Sequence, residues 1–321
     1  MPTPTTELVR ERLIDLGSTL GWYRHGRHDP TTWLTVVGRG TTSSGDFVRA
    51  TWTPDGPGTL HIQWRGNVGA TDVVGVPGVS LASYGPGGAW LTARAPLMIG
   101  VADPGDPALE HARHPVVAAA ARAGRSLRFG ASGDLYHELL PTILEQRITA
   151  GEAYRQWGRL CAELGEPAPG PFARLLLPPD PARLARQPSW WFHPLGVERK
   201  RAQPLALVAR HADKYWQWAA MSPTDAGAKL RLIDGVGQWT IGSVLGPALG
   251  DPDAVAVGDY HLKNVIGNTL AGEARATDER MLELLRPYAG QRGRVVRMLC
   301  HDGASTPKFG PRHRVLPMHR W

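Results

Sequence analysis

The sequence predicts an α+β protein in which a small antiparallel β-sheet domain precedes a mainly α-helical domain. Three observations support this prediction. Apolar and polar residues alternate near the N-terminus, apolar residues recur at helical spacing after about residue 106, and 321 residues are enough for two domains. We expect a sheet domain at 1–105, a helical domain at 106–305 and an Arg-rich C-terminal tail at 306–321.

The N-terminal part has the pattern of half-buried strands. In residues 59–64 the apolar side chains alternate with polar ones, and a similar segment at 47–52 precedes them. The residues between, 54–58, are Pro-Asp-Gly-Pro-Gly, which is typical of a turn. The pattern predicts an antiparallel hairpin, and we expect further short strands near 33–37, 73–81 and 90–98.

The second part has the pattern of amphipathic helices. We expect a helix at 109–123 despite Pro115, and another that begins with a capping box formed by Thr149 and Glu152. Its predicted buried face contains Ala153, Trp157, Leu160, Cys161 and Leu164.

Three further helices are expected in the same domain. Ser222 followed by Pro223 favours a helix start, and later helices are expected around Met281 and Val295. A Pro-rich segment at 167–188 separates two helices, and we expect either an irregular ordered insertion or a mobile loop.

The charge balance favours a polyanionic partner, although a basic protein can also be basic without one. The formal net charge is +7, and only five of the 36 Lys and Arg residues are Lys. The strongest basic stretch is 286–321, with seven Arg and one Lys against one acid, Asp302. A phosphate contact and a solvated face both remain open for this stretch.

The chain has two cysteines, Cys161 and Cys300, which cannot supply a four-thiolate zinc or iron–sulfur site. We expect both to be buried free thiols in a reducing compartment. No secretory signal pattern and no run of about 18 apolar residues is present, so we expect an intracellular protein with no membrane partner.

The segment 232–240 contains a Gly-x-Gly turn between two helical patterns. A turn of this kind at a helix start exposes backbone N–H groups that can bind a phosphate. The segment does not complete the GxGxxG pattern, because Thr240 stands at its last position, and it follows a helix rather than a strand. An isolated acid, Asp259, follows Gly258 and starts another helical pattern, where it could be a catalytic group or only a helix cap.

These segments resemble the helix-hairpin-helix (HhH-GPD) DNA glycosylase superfamily, and specifically its AlkA-type 3-methyladenine DNA glycosylase II branch. The resemblance rests on the hairpin at 232–240, on the acid and its helix at 257–263, and on 143–149, which is similar to the first helix of the family's helical domain. It extends to 29–33 and 53–57, which are similar to the small sheet domain of this branch. The resemblance implies a helical HhH-GPD domain behind that sheet.

The resemblance also implies the DNA-binding residues. Gly235, Val236 and Gly237 would hold a phosphate, and Gln146 with Arg147 stands where the family places the side chain that wedges into the duplex. Lys263 is expected to contact a phosphate or solvent. The carbonyls of Arg231, Ile233 and Val236 would bind a structural Na⁺ or K⁺; no cofactor is required and no iron–sulfur cluster is expected.

For catalysis the resemblance implies Asp259, which would stabilise positive charge at C1′ and direct a water molecule to it. Bifunctional relatives that cleave the strand carry a Lys where this chain has Trp239, so a monofunctional hydrolase is expected, with no AP lyase activity. Lys263 could be offered as a replacement amine, but a phosphate contact is the better interpretation.

The expected substrate follows from Trp239. A purine alkylated at N3 or N7 is cationic and stacks well on an electron-rich ring. The other candidates for the base pocket are Tyr260, Tyr288, Trp190 and Trp191, each of which could instead be a core aromatic.

We therefore expect a monomeric, cytoplasmic, nucleoid-associated glycosylase that flips alkylated purines, such as 3-methyladenine or 7-methylguanine, out of damaged double-stranded DNA and leaves an abasic site. Two alternatives stay open: the same fold acting on deaminated or oxidised bases, and a helix-hairpin-helix protein that binds DNA without chemistry.

Overall fold

The computed structural model describes residues 13–66, 68–69 and 78–305. The expected C-terminal tail at 306–321 and most of the strand expected at 73–81 lie outside these residues.

The N-terminal sheet has the strand order β1-β2-β3-β4, and all neighbouring strands are antiparallel. The predicted hairpin at 47–64 is confirmed, with Phe47 opposite Ile62 and Thr53 opposite Gly56. The strand expected at 33–37 is confirmed as well. The bounds are β1 Thr32–Val37, β2 Ser44–Thr53, β3 Gly56–Arg65 and β4 Val79–Tyr84.

The strand expected at 90–98 is wrong, because this segment is a helix, α2 (Gly88–Met98). Leu91, Ala95 and Met98 lie on one face at helical spacing and pack against the apolar side chains of the sheet. A short apolar run does not distinguish a strand from a helix, and the packing against the sheet determines the outcome here.

Helices dominate after about residue 106, as predicted, and α2 adds a helix before that point. Their bounds are α1 Leu16–Leu20 before the sheet and, after it, α3 Pro115–Ala123, α4 Leu135–Glu145, α5 Ala150–Leu164, α6 Pro181–Ala185, α7 Arg199–Arg210, α8 Tyr215–Trp218, α9 Pro223–Leu230, α10 Gln238–Leu249, α11 Leu262–Ala271, α12 Asp278–Leu285 and α13 Arg292–His301.

Two local predictions about helix starts need correction. The helix expected at 109–123 is divided into a 3₁₀ turn, Pro107–His111, and α3, because Pro115 begins a new helix at its first position rather than continuing one. Thr149 does precede α5, but its side chain makes no capping hydrogen bond, so the predicted capping box is not formed. The Ser222 cap is confirmed, since its side chain accepts from the N–H of Asp225.

The helical part has two apolar cores. The first includes the predicted buried face of α5 and side chains of α4, α7, α9 and α10. The second joins α3 to α11, α12 and α13. The polypeptide crosses from the first core to the second between the end of α10 and the start of α11. None of the helices in the described parts of the chain is both long and apolar enough to cross a membrane.

The Pro-rich segment 167–188 is an ordered insertion. Ala168, Leu175 and Leu177 pack against Val48 and Ala50 of the sheet. The indole N–H of Trp52 also donates to the carbonyl of Pro178 at 2.9 Å. The insertion therefore covers one side of the sheet.

Three arginines of the basic stretch 286–321 are used inside the fold. Arg292 is paired with Asp253. Arg294 is buried against Asp103, with an N–O distance of 2.6 Å. Arg297 stacks 3.8 Å from the centre of the Trp22 ring and donates to backbone carbonyls. Each of these three side chains therefore has a partner within the protein.

The expectation for the cysteines is half correct. Cys161 is buried in the first helical core, as predicted. Cys300, near the end of α13, is exposed, and the prediction of a buried thiol is wrong there.

Candidate active site

The Gly-x-Gly turn connects α9 to α10 as predicted. Gly235 has φ +83°, and a Cβ there would overlap the ring of Pro204, so both the backbone conformation and the contact require glycine. Gly237 precedes α10 in an extended conformation and has nothing within 4 Å of the position of a Cβ. Gly235 is therefore packed against the protein, whereas Gly237 faces unoccupied space.

The open side of the turn presents unpaired backbone donors. Among the described residues, no acceptor receives the N–H groups of Gly237, Gln238 or Trp239, which begin α10. The N–H of Val236 is already used, because it donates to the carbonyl of Ile233 at 3.0 Å. Free N–H groups at a helix N-terminus have the geometry that binds an anion.

Gln146 ties this turn to the end of α4. Its side-chain NH₂ donates to the carbonyl of Gly235 at 3.0 Å and to the hydroxyl of Thr240 at 2.9 Å. The sequence grouped Gln146 with the DNA-binding residues, but its amide is engaged within the protein, where it fixes the turn relative to α4.

Arg147 follows immediately and is exposed. Its φ of +59° makes it the one non-glycine residue in the left-handed region in the described parts of the chain. That conformation costs a non-glycine residue about 1–2 kcal/mol, and such strain is concentrated at functional positions. The backbone therefore presents the Arg147 side chain outward beside the turn.

The carbonyl oxygens that are expected to bind a monovalent cation have lone pairs free for it. Those of Arg231 and Val236 accept no hydrogen bond from the described residues, and that of Ile233 accepts one and keeps a second lone pair. Carbonyl oxygen suits a hard cation such as Na⁺ or K⁺, so the residues fit this group.

Asp259 and Trp239 are brought together, although 20 residues separate them. The indole N–H of Trp239 donates to Oδ2 of Asp259 at 3.1 Å. Oδ1 accepts the backbone N–H groups of His261 and Leu262, each at 2.8 Å, so the carboxylate also caps the start of α11. Three donors hold this half-buried carboxylate in one position.

Close packing of α10 makes this contact feasible. A Cβ on Gly242 would overlap the carbonyl of Val255, so only glycine allows α10 to lie against the segment that leads to Asp259. Trp239 lies in the first turn of α10, a helix of the first core, whereas Val255 and Val257 pack against the second. The pair therefore lies where the two helical cores meet.

Asp278, at the first position of α12, holds the backbone next to Asp259. Its Oδ1 accepts the N–H of Gly258 at 2.9 Å, and its Oδ2 pairs with the ammonium of Lys263, also at 2.9 Å. Burial raises the pKa of Asp278, but these two partners outweigh it and the pKa lies below its ordinary value. Lys263 is therefore engaged in an ion pair rather than free for a phosphate, and sequence reasoning missed Asp278 altogether.

Cys300 also lies near Asp259. Although the residue as a whole is exposed, neighbouring atoms partly desolvate its thiol, and this desolvation and then the negative charge of Asp259 raise the pKa of this cysteine. The sequence offered no signal for this proximity, since 41 positions separate Cys300 from Asp259 in the chain.

The other aromatic candidates lie in different surroundings. Tyr260 is 75% exposed beside Asp259 and contacts the ring of His261 edge-on. Tyr288 is half-buried and packs against the second core. Trp190 is 69% exposed, and Trp191 contacts Phe192 edge-on and packs against the first core. Among the aromatic side chains of the described residues, Trp239 is the one that donates a hydrogen bond to Asp259.

The fold is shared with solved DNA glycosylases. A 3-methyladenine DNA glycosylase from Archaeoglobus fulgidus superposes with a TM-score of 0.67 at 13% identity, over 91% of this chain and 96% of that one. An 8-oxoguanine glycosylase/lyase from Clostridium acetobutylicum gives 0.58 at 10% identity, over 85% and 99%. MBOgg1, solved with a low-affinity DNA ligand, gives 0.55 at 14% identity, over 83% and 96%.

No protein-family model and no curated protein matches this sequence. The likeness is therefore one of fold, at low identity. It confirms the predicted α+β class, with a small antiparallel sheet before a mainly helical part of the chain.

Proposed function

We propose that this protein, which has the fold of the helix-hairpin-helix (HhH-GPD) DNA glycosylases, is a monofunctional glycosylase that removes alkylated purines from double-stranded DNA. The observation that carries the proposal is the contact between Trp239 and Asp259, which joins an aromatic ring to a fixed carboxylate at the junction of the two helical cores. Neither element alone would specify a glycosylase.

Asp259 would act on the sugar. As the C1′–N bond breaks, its electron pair leaves with the base and positive charge develops at C1′. A carboxylate beside C1′ stabilises that charge, and it can accept the proton of the water whose oxygen then bonds to C1′. The products are a free base and an abasic site.

Trp239 supports the choice of both reaction and substrate. It has no amine with which to form a Schiff base, so strand cleavage is not expected. N3- or N7-alkylation makes a purine cationic, and such a base stacks favourably on an indole ring. The leaving base becomes neutral when the bond breaks, so a modest catalyst is sufficient.

The turn at 231–238 would anchor the duplex. Free N–H groups of Gly237, Gln238 and Trp239 suit a phosphate without selecting a base sequence. Na⁺ or K⁺ on the carbonyls of Arg231, Ile233 and Val236 would add positive charge to this anchor. Arg147, presented outward beside it, is our candidate for the side chain that fills the gap left by the flipped nucleotide.

The test is release of free base from methylated duplex DNA by the wild type and by Asp259→Asn. We expect the wild type to release alkylated purine without cleaving the strand, and the variant to lose at least about 100-fold in rate while keeping its affinity for duplex. Duplexes that contain hypoxanthine or 8-oxoguanine serve as parallel substrates, because fold neighbours of this chain include 8-oxoguanine glycosylases.

Each outcome of this test has one meaning. Release from only the parallel substrates would keep the enzyme and correct its damage class. Binding without release from any substrate would make the protein a DNA-binding module with Asp259 as a helix cap. Strand cleavage without heat or alkali would contradict the monofunctional assignment.

A further inference from the structure

A short basic loop of the N-terminal domain, residues 24–28, has the sequence Arg-His-Gly-Arg-His. Arg27 and His28 at its tip are exposed, and within the described residues neither side chain has a hydrogen bond or an ion pair. The proposed catalytic machinery does not use this loop.

The base of the loop is fixed by Asp29, a buried residue. Its Oδ2 accepts the N–H of His25 at 2.7 Å, and its Oδ1 accepts from the backbone and side chain of Thr31 and from the indole of Trp157. These donors hold the Asp29 carboxylate in the buried base of the loop, and among the described residues it forms no ion pair with Arg27 or His28.

The loop contacts two helices, α4 and α5. The imidazole of His25 lies 3.4 Å from the carboxylate of Glu145, at the end of α4. Gly26 lies on the ring of Tyr154, in the second turn of α5, so closely that a Cβ would come within 2.6 Å of it. The basic loop therefore sits where α4 ends and α5 begins.

This is also the place where the proposed DNA surface begins. Three consecutive residues connect the two regions. Glu145 pairs with His25 of the basic loop, and Gln146 donates to the carbonyl of Gly235 in the phosphate-binding turn. Arg147 then faces outward. Consecutive Cα atoms are about 3.8 Å apart, so the three attachments lie within about 8 Å along the chain. Arg155 of α5, the residue after Tyr154, is exposed and has no ion pair among the described residues, so it adds a further positive charge.

We propose that the basic loop is a second phosphate-binding element, which contacts the backbone of the duplex beside the position where Arg147 enters it. The inference rests on the proposed function. It gives the N-terminal domain a direct part in DNA binding, with Arg27 as the main contact. Its role is non-specific affinity, because a loop that meets only phosphates carries no base readout.

The experiment compares Arg27→Ala with Arg39→Ala. Arg39 is exposed in the same domain, but it follows the far end of β1, roughly 20 Å of strand away from the loop. The probe is a fluorescent duplex with one tetrahydrofuran abasic analogue, and binding is followed by anisotropy at several salt concentrations. Thermal unfolding of each variant checks that the fold is unchanged.

We expect Arg27→Ala to weaken binding by about fivefold at 100 mM salt and to reduce the slope of log K against log salt by about 1, with Arg39→Ala unchanged. Arg27→Lys should restore most of the slope, because Lys keeps the charge. Equal weakening by Arg27→Ala and Arg39→Ala would overturn the proposal, since it would show only an effect of net charge.

Unchanged binding of Arg27→Ala, with a wild type that binds and releases base, would overturn the role of the basic loop and leave the proposed function intact. If the wild type bound neither damaged nor undamaged duplex, the proposed function would fail together with this inference.

Discussion

The indole nitrogen of Trp239 lies 3.1 Å from Oδ2 of Asp259 and donates a hydrogen bond to it. The proposed base-stacking ring and the proposed catalytic carboxylate are therefore one unit. The other oxygen of Asp259 accepts two backbone N–H groups, so the indole is the single side-chain donor among the described residues that reaches this carboxylate. Its contribution can be measured apart from that of the ring.

Trp239→Phe should separate the hydrogen bond from the aromatic surface. Phe keeps a ring for stacking but has no N–H for Asp259. A hydrogen bond to a charged group contributes about 1.5–3 kcal/mol, so we expect the single-turnover rate of base release to fall by about tenfold to 100-fold. Ser243→Ala is the control, because its hydroxyl donates only to the carbonyl of Trp239. A wild-type rate in Trp239→Phe would show that the ring alone is sufficient.

Asp278 should act as a positioning residue. Asp278→Ala removes the acceptor for the N–H of Gly258, next to Asp259, and the partner of Lys263. We expect kcat to fall by about tenfold, since a small displacement of a catalytic group has a large effect on rate. Asp278→Asn keeps an oxygen for Gly258 and should retain most of the activity.

The matched control is Glu283→Ala on the same helix, which breaks the exposed pair with Arg280. It should leave kcat unchanged. If Asp278→Ala raised KM and left kcat at the wild-type value, a role in positioning Asp259 would be refuted.

The features that were predictable from sequence are those determined by local patterns. The hairpin at 47–64, the buried face of α5 and the turn at Gly235 each depend on residues that are neighbours in the chain. A capping role for Asp259 was predictable in part, because its carboxylate accepts the N–H of Leu262, the first residue of α11, although the N-cap residue is His261 and not Asp259.

The features that were missed depend on contacts between distant segments. Gln146 meets Gly235 across 89 positions, and Asp278 meets Gly258 across 20. Residues 90–98 are a helix because of what they pack against, and Arg294 and Arg297 of α13 are held in the fold because Asp103 and the Trp22 ring receive them. Spacing within one segment carries no information about such partners.

Gly235 and Gly237 should respond differently to the same substitution. Gly235→Ala forces a side chain into a left-handed conformation and against Pro204, so we expect a loss of about 2 kcal/mol or more in the free energy of unfolding. Gly237→Ala meets nothing and should fold normally, but its methyl group stands beside the open N–H groups and should weaken duplex binding. Urea unfolding and anisotropy give the two quantities. Normal duplex binding by a folded Gly237→Ala would exclude a phosphate at this end of the turn.

His25 should make the stability of the protein depend on pH. Burial lowers the pKa of His25, but the carboxylates of Glu138 and Glu145 outweigh this effect and raise it to about 10, above its ordinary value of 6.5. The folded protein therefore keeps a proton that the unfolded chain releases at lower pH. The resulting stabilisation is complete below pH 6.5 and is lost as the pH rises towards 10.

The difference in free energy of unfolding between the wild type and His25→Gln, measured in urea, should thus be largest near pH 6 and shrink steadily towards pH 10. His28→Gln, exposed on the same loop, should show no such trend. A difference for His25→Gln that stayed constant over this range would mean that His25 is neutral in the folded protein, and that its contacts with the two carboxylates are not ion pairs.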